Sequence, residues 1–185
     1  MNASAFIKVD KATFFRVAER HEGRCEYVRG RIIMQSGGTF NHSRIAANFL
    51  QTFIYQLDPT RWIASGSDRG VETEETVRYP DVTVEIAGAD PRSLFTQQPV
   101  VAIEVLSPSS EERDLDIKPL EYLGIPTLQA YVVASQDELA CLVWLRGPDG
   151  TFPAEPVEIK GHAGVIRVAQ LSVEIALADV YRGIC

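Results

Sequence analysis

Two runs decide the fold: Tyr79-Pro80-Asp81-Val82-Thr83-Val84-Glu85-Ile86 and Val100-Val101-Ala102-Ile103-Glu104-Val105-Leu106-Ser107-Pro108. The second holds a single carboxylate inside an apolar stretch rich in β-branched residues, the pattern of a strand buried on both faces. An ionised carboxylate in such a place costs several kcal/mol unless it is paired or bound to a metal. Glu104 therefore has a partner: a basic side chain in a structural ion pair, or a metal ion. In the first run Pro80 cannot donate to a sheet ladder, so it belongs at a strand's first residue or on an edge. It also pushes Tyr79 into an extended conformation. Asp81 then stands at the mouth of the strand Val82–Ile86. Alternation puts Asp81, Thr83 and Glu85 on one face and Val82, Val84 and Ile86 on the other. Glu85 shares that face and is the rival of Asp81. Two carboxylates from neighbouring strands suit a magnesium ion, with water and substrate phosphate completing its shell.

A charged segment ending in Lys118 follows. Ser109 and Glu112 have capping-box spacing. A helix starting there would set Asp114, Lys118 and Tyr122 on one face at i, i+4 and i+8; for Asp114 and Lys118 the plain alternative is a surface salt bridge. Pro119 disturbs that helix, because inside it the ring would clash with residue 115. Pro119 fits better as a first helical residue, with Lys118 at the cap.

The set Pro80-Asp81, Glu104-Val105-Leu106-Ser107-Pro108-Ser109, Asp114, Lys118, Tyr122 and Gly124-Ile125-Pro126 resembles the Uma2 family of restriction-endonuclease-like proteins, within the PD-(D/E)XK nuclease superfamily. Glu26-Tyr27-Val28-x-Gly30-x-Ile32, the later His42, and the ending Leu171 to Tyr181 also resemble that family. The resemblance implies an α/β fold with a restriction-endonuclease-like mixed central β-sheet flanked by helices, plus additional β-hairpins. It implies a metal-dependent endonuclease that hydrolyses DNA phosphodiester bonds with Mg2+, or Mn2+ in its place. Asp81 and Glu104 become metal ligands and catalytic acids. Lys118 becomes the catalytic lysine, displaced from the superfamily's usual place two residues after the acid, here Leu106. Glu26 becomes a further catalytic acid; an exposed strand acid is its plain alternative. His42, Asp114 and Tyr122 become substrate-binding residues, although a capping or surface role also suits His42. Departures from the pattern are Arg29 in place of an Asp, a turn change expected to matter little, and Tyr131, Ala134 and Ser135 in place of a Trp and a terminal Asp. With Pro119, these open the alternative of a catalytically degenerate nuclease fold that binds nucleic acid or protein. A homodimer is expected because cutting both strands needs two sites.

The 185 residues suit a single domain spanning 1–185. Apolar content of 45% and charged content of 23% are ordinary for a soluble protein. No apolar run approaches the roughly 20 residues of a membrane helix, and Met1-Asn2-Ala3-Ser4 lacks a signal-peptide pattern. Cys25, Cys141 and Cys185 read as free thiols in a reducing compartment, which points to the cytoplasm. The net charge of −7 counts against phosphate binding. Lys8, Lys11, Arg16, Arg20, Arg24, Arg29 and Arg31 crowd the first thirty-odd positions, and a solvated surface explains them as well as a nucleic-acid face does. A cysteine hydrolase using Cys25 with His21 or His42 is a third reading, without a nucleophile-elbow or oxyanion motif behind it.

Expected elements are a helix Lys11–Glu19, capped by Asp10 and closed by Gly23, and a hairpin over Cys25–Met34 turning at Arg29-Gly30. A helix from about His42 to Leu57, capped by Thr39 or Asn41, carries core residues at helical spacing. Strands follow at Arg61–Ala64, Leu128–Ala134, Leu139–Leu145, Val157–Ile159 and Val165–Val168. The site is expected at the sheet's open edge.

Overall fold

A computed structural model describes residues 8–20, 24–35, 37–106, 115 and 117–184 of the chain. The Ser107-Pro108-Ser109 motif, the Ser109–Glu112 capping box, Asp114, His21, Gly23 and Cys185 lie outside the described residues.

In chain order the elements are α1 (Lys11–Ala18), β1 (Cys25–Val28), β2 (Arg31–Met34), α2 (Phe40–Gln56), β3 (Trp62–Gly66), β4 (Gly70–Glu72), β5 (Thr76–Arg78), β6 (Val82–Ile86), β7 (Phe95–Thr96), β8 (Pro99–Val105), α3 (Lys118–Tyr122), β9 (Ala130–Ala134), β10 (Ala140–Leu145), β11 (Val157–Lys160), β12 (Val165–Val168), β13 (Val173–Ala176) and α4 (Leu177–Val180). They build a six-stranded sheet in the order β11-β10-β9-β8-β6-β3, a five-stranded sheet in the order β2-β1-β5-β4-β7, and the pair β12-β13. The larger sheet is mixed: β8 runs parallel to β9 and antiparallel to β6. A parallel pair needs a crossover connection, and here that connection carries α3. This is the α/β architecture expected from the sequence.

The two faces of the larger sheet follow from alternation. Val82, Val84, Val101, Ile103, Val105 and Val132 pack against Ile45, Phe49 and Phe53 of α2 and against Ile175, Leu177 and Val180 at the C-terminal end. Burying each large side chain here contributes about 1.5–3 kcal/mol, which is why α2 lies on this face. Ala102, Tyr131, Val133 and Trp144 point the other way, toward Val71, Tyr122, Ile125 and Leu128. Phe14, Cys25, Tyr27 and Val77 make a third cluster under α1.

Asp10 caps α1 by accepting from the Thr13 N–H at 2.7 Å, and Thr39 caps α2 by accepting from the His42 N–H at 3.1 Å. Most of the helix drawn from Ser109 lies outside the described residues; Leu115 and Ile117 are helical, and α3 opens at Lys118 with Pro119 in its first turn and no side-chain cap bond. The site acids do not sit at an open edge. β6 and β8 are interior strands, because β3 pairs antiparallel with β6 and covers it.

The hairpin β1–β2 turns at Arg29 (φ 49°) and Gly30 (φ 89°). Positive φ at both central residues is the type I′ turn, which favours Asn or Asp before Gly. The Arg29 substitution therefore matters more than the sequence suggested. A left-handed residue with a Cβ carries about 1–2 kcal/mol of strain, and the exposed Arg29–Glu75 pair at 2.9 Å offsets little of it. Arg29→Asn is expected to raise Tm by about 2–4 °C; an unchanged or lower melting temperature would remove this explanation.

Candidate functional site

The site is built where β6 begins and β8 ends. Their register pairs Val82 with Ile103 and Thr83 with Ala102. Asp81 immediately precedes the first paired residue of β6 and Glu104 immediately follows Ile103 on β8, so both lie at the same end of the sheet. Their side chains meet different elements: Asp81 turns to His42 of α2, and Glu104 to Lys118 and Tyr122 of α3.

Each carboxylate has its own partners. Asp81 Oδ2 accepts from the Val105 N–H at 2.8 Å, and His42 Nε2 lies 3.2 Å from the same oxygen. His42 occupies the first turn of α2, where a histidine can reach a neighbouring strand end. Its ring rests on Gly38: a Cβ there would come within 2.5 Å of Nδ1. Gly38 thus leaves room for the ring to face Asp81. A cleft of about 230 Å³ opens beside this pair, lined by Arg24, Gly38, His42, Ser43, Gly66 and Asp81 among others. The α2 cap is itself tied to the end of β8. Thr39 Oγ1 donates to Gln136 Oε1 at 2.5 Å, and Gln136 Nε2 donates to the Leu106 carbonyl at 2.8 Å.

Glu104 is 4% exposed, as its apolar surroundings require. The Lys118 ammonium lies 2.7 Å from its Oε1, and the Tyr122 hydroxyl donates to the same oxygen at 3.2 Å. The ion-pair reading of Glu104 is therefore realised, with Lys118 as the partner. Lys118 is itself 4% exposed, so charge-assisted bonding of this kind is what keeps both charges stable in the interior. Tyr122 is fully buried and makes a tilted ring contact with Tyr131, which makes another with Trp144, at centroid distances of 5.0 and 5.4 Å. Burial and the Glu104 charge push its phenol well above the ordinary range, so it remains a hydrogen donor. The structure thus places Tyr122 against the acid, enclosed away from solvent.

Glu26 does not join Asp81 and Glu104. It is 2% exposed and its Oε2 accepts from Arg78 Nη1 at 2.9 Å. Arg78 in turn grips Glu121 of α3 with two parallel bonds, at 2.8 and 2.9 Å. Burial draws the Arg78 guanidinium down, but the Glu121 hydrogen bonds and the charges of Glu26 and Glu121 outweigh it, and the net shift is upward. Glu85, the rival ligand, is taken by Arg69 through bonds of 2.7 and 3.0 Å at the far end of β6. Reading the sequence missed Arg78 and Glu121. The available signal was Arg78 alternating with Thr76 inside a short strand that runs into Pro80. Among the described residues, no group of three or more His, Cys, Asp or Glu side chains could hold a metal ion.

Among the described residues, Cys25 and Cys141 are buried free thiols. Burial raises the Cys25 thiol above its ordinary value, and burial pushes Cys141 up to about 12 against a smaller opposing hydrogen bond to Tyr181. Thiols and phenols are neutral when protonated. A raised folded-state value therefore means that stability is full at neutral pH and falls as pH rises from the unfolded value, near 9, toward the folded one. Melting temperatures are expected to hold from pH 7 to about 8.5 and to fall by several degrees by about pH 10.5. Tyr79, raised to about 12 chiefly by burial, adds to that loss. Iodoacetamide at pH 8 is expected to spare Cys25 and Cys141 until denaturant is added; rapid labelling of either in the folded protein would reopen a thiol mechanism.

The chain is 27% identical over 185 residues to the Synechocystis protein slr1290, covering 98% of this chain and 96% of that one. It is 28% identical over 130 residues to a second Synechocystis protein, sll1609, covering 68% and 73% of the two chains. A crystal structure from Anabaena variabilis, described as a "putative nuclease belonging to DUF820", superposes with a TM-score of 0.79 at 18% identity, covering 96% of this chain and 99% of that one. That likeness establishes the shared fold. The family described as "Uma2: Putative restriction endonuclease" matches residues 12–178, so the chain belongs to the Uma2 family and to its nuclease-like class of function.

Proposed function

We propose that the chain, as one restriction-endonuclease-like domain over 1–185, hydrolyses DNA phosphodiester bonds at Asp81, Glu104 and Lys118 with a divalent cation. The observation that supports this most is that Asp81, at the head of β6, and Glu104, near the end of the adjacent β8, come to the same end of the sheet, with the Lys118 ammonium 2.7 Å from Glu104. The donor set fits a hard cation: two carboxylates are what magnesium sites commonly offer, the remaining positions falling to water and substrate phosphate. Mn2+ is the expected substitute. When bound, such an ion polarises a phosphoryl oxygen and acidifies a water.

The remaining work belongs to the side chains. The Val105 N–H and His42 hold Asp81 Oδ2 and so fix the plane of that carboxylate. Glu104 holds Lys118 in place, and the ammonium stabilises negative charge that develops on the phosphate beside it. Tyr122 keeps Glu104 from turning away. His42, at the cleft beside Asp81, and Asp114 are the proposed substrate contacts. No covalent enzyme intermediate is needed. Two copies would give the two centres that a double-strand break requires, and the reducing environment suited to the buried thiols is the cytoplasm. The test is cleavage of plasmid DNA with Mg2+ or Mn2+. Cutting that is metal-dependent and lost in Glu104→Gln supports the assignment; cutting that survives this change refutes it.

A degenerate binding module is the second reading. It draws on Glu104 Oε1 being already met by two donors and on the net charge of −7. Salt-sensitive DNA binding with no cleavage across a metal series would select it.

A further inference from the structure

We infer that Arg78 and Glu121 are positioning residues that set the Lys118–Glu104 pair, and that Glu26 serves them as a counter-charge. The inference rests on the nuclease reading for its kinetic part. Its structural part stands on the contacts alone.

α3 is five residues long and has no side-chain cap bond at its start. An isolated helix of that length has no stability of its own. Yet it carries two groups that touch Glu104: Lys118 at its first position and Tyr122 at its last. Something outside the helix must fix its place over the sheet. Tyr122 does so in part, packed with Ala102, Leu128 and Tyr131, whereas Leu120, 81% exposed, cannot. Glu121 can, because Arg78 holds both of its carboxylate oxygens. A fork-to-fork pair fixes orientation as well as distance. Arg78 is 1% exposed and sits on β5 of the smaller sheet, so the fork bridges that sheet to the crossover helix. At the other end Glu26 takes the third Arg78 bond, and its Oε1 lies 3.4 Å from the Tyr79 N–H. Tyr79 leads directly into Pro80-Asp81. One guanidinium thus reaches both halves of the site: Lys118 through Glu121, and the start of β6 through Glu26.

The test uses full-length protein labelled with 15N-lysine, comparing wild type with Glu121→Gln. Gln keeps the shape and one acceptor oxygen but loses the charge and the two-oxygen grip. Three quantities are read: the melting curve, kcat and KM for DNA cleavage with Mg2+, and the 15N signal of the Lys118 ammonium, assigned by its loss in Lys118→Met. The expected result is a folded variant whose Lys118 signal moves and whose kcat falls roughly 10- to 100-fold, as for other residues that orient a reacting group from behind, with KM within about threefold. If Glu121→Gln fails to fold, Glu121→Asp, which keeps the charge but shortens the arm, takes its place with the same readouts. A folded variant with an unmoved Lys118 signal, or with a moved signal and wild-type kcat, overturns the inference. Wild-type protein that cleaves nothing sinks the nuclease reading instead, and the Lys118 signal alone then decides the positioning.

Discussion

Asp81→Asn is expected to lower DNA cleavage by roughly 10²–10³-fold, the scale seen when one preorganised electrostatic contact to developing charge is lost, while moving Tm by no more than a few degrees. The reason lies in what Asn keeps. Its side-chain oxygen can still accept the Val105 N–H that now bonds Asp81 Oδ2 at 2.8 Å, so the junction of β6 and β8 stays closed. What is lost is the negative charge facing His42 and offered to the proposed cation. A stability role would show the opposite pattern: a large fall in Tm and a rate loss no greater than the loss of folded protein. Steady-state cleavage beside thermal melts separates the two. Full activity in a folded Asp81→Asn protein would remove Asp81 from the chemistry.

Arg78→Leu is expected to be the most damaging single change to the fold. It leaves the carboxylates of Glu26 and Glu121 buried without the guanidinium that joins them. Breaking a buried ion pair by removing one partner costs about 3–5 kcal/mol. For a chain of this size that corresponds to a Tm lower by roughly 6–20 °C. The sign reverses if all three charges go together. The triple change Glu26→Leu, Arg78→Leu and Glu121→Leu is expected to recover most of the lost stability, since a buried ion triad is often no more stable than well-packed apolar side chains. A single Arg78→Leu protein that melts within about 2 °C of wild type would contradict the buried network.

Much of this was legible in the sequence because local rules agreed with the fold. Glu104 stood out as one charge in an apolar run, and the structure gives it a partner. Pro80 located the start of β6 and so placed Asp81. Thr39 and Asp10 were readable as caps because their side chains act within three residues. The rest was not legible, for physical reasons. Which ion met Glu104 depended on α3, which brings Lys118 to it from the crossover. The His42–Asp81 contact spans two elements and rests on the absence of a side chain at Gly38. Arg78 looked like one more charge in a polar stretch, because nothing local shows that β5 is buried beneath the crossover. Glu26 was singled out as an acid, but its partner lies across the hairpin sheet. Arg29 looked harmless because the positive φ of its turn is a backbone property.

The most direct test is a crystal of the protein grown with Mn2+ and examined for anomalous scattering at the site. One manganese peak about 2.1 Å from an oxygen of Asp81 and from an oxygen of Glu104, with the Lys118 ammonium still beside Glu104, is the expected result. Saturating Mn2+ with no peak there, and Glu104 still closed on Lys118 and Tyr122, would contradict a shared cation at the two acids.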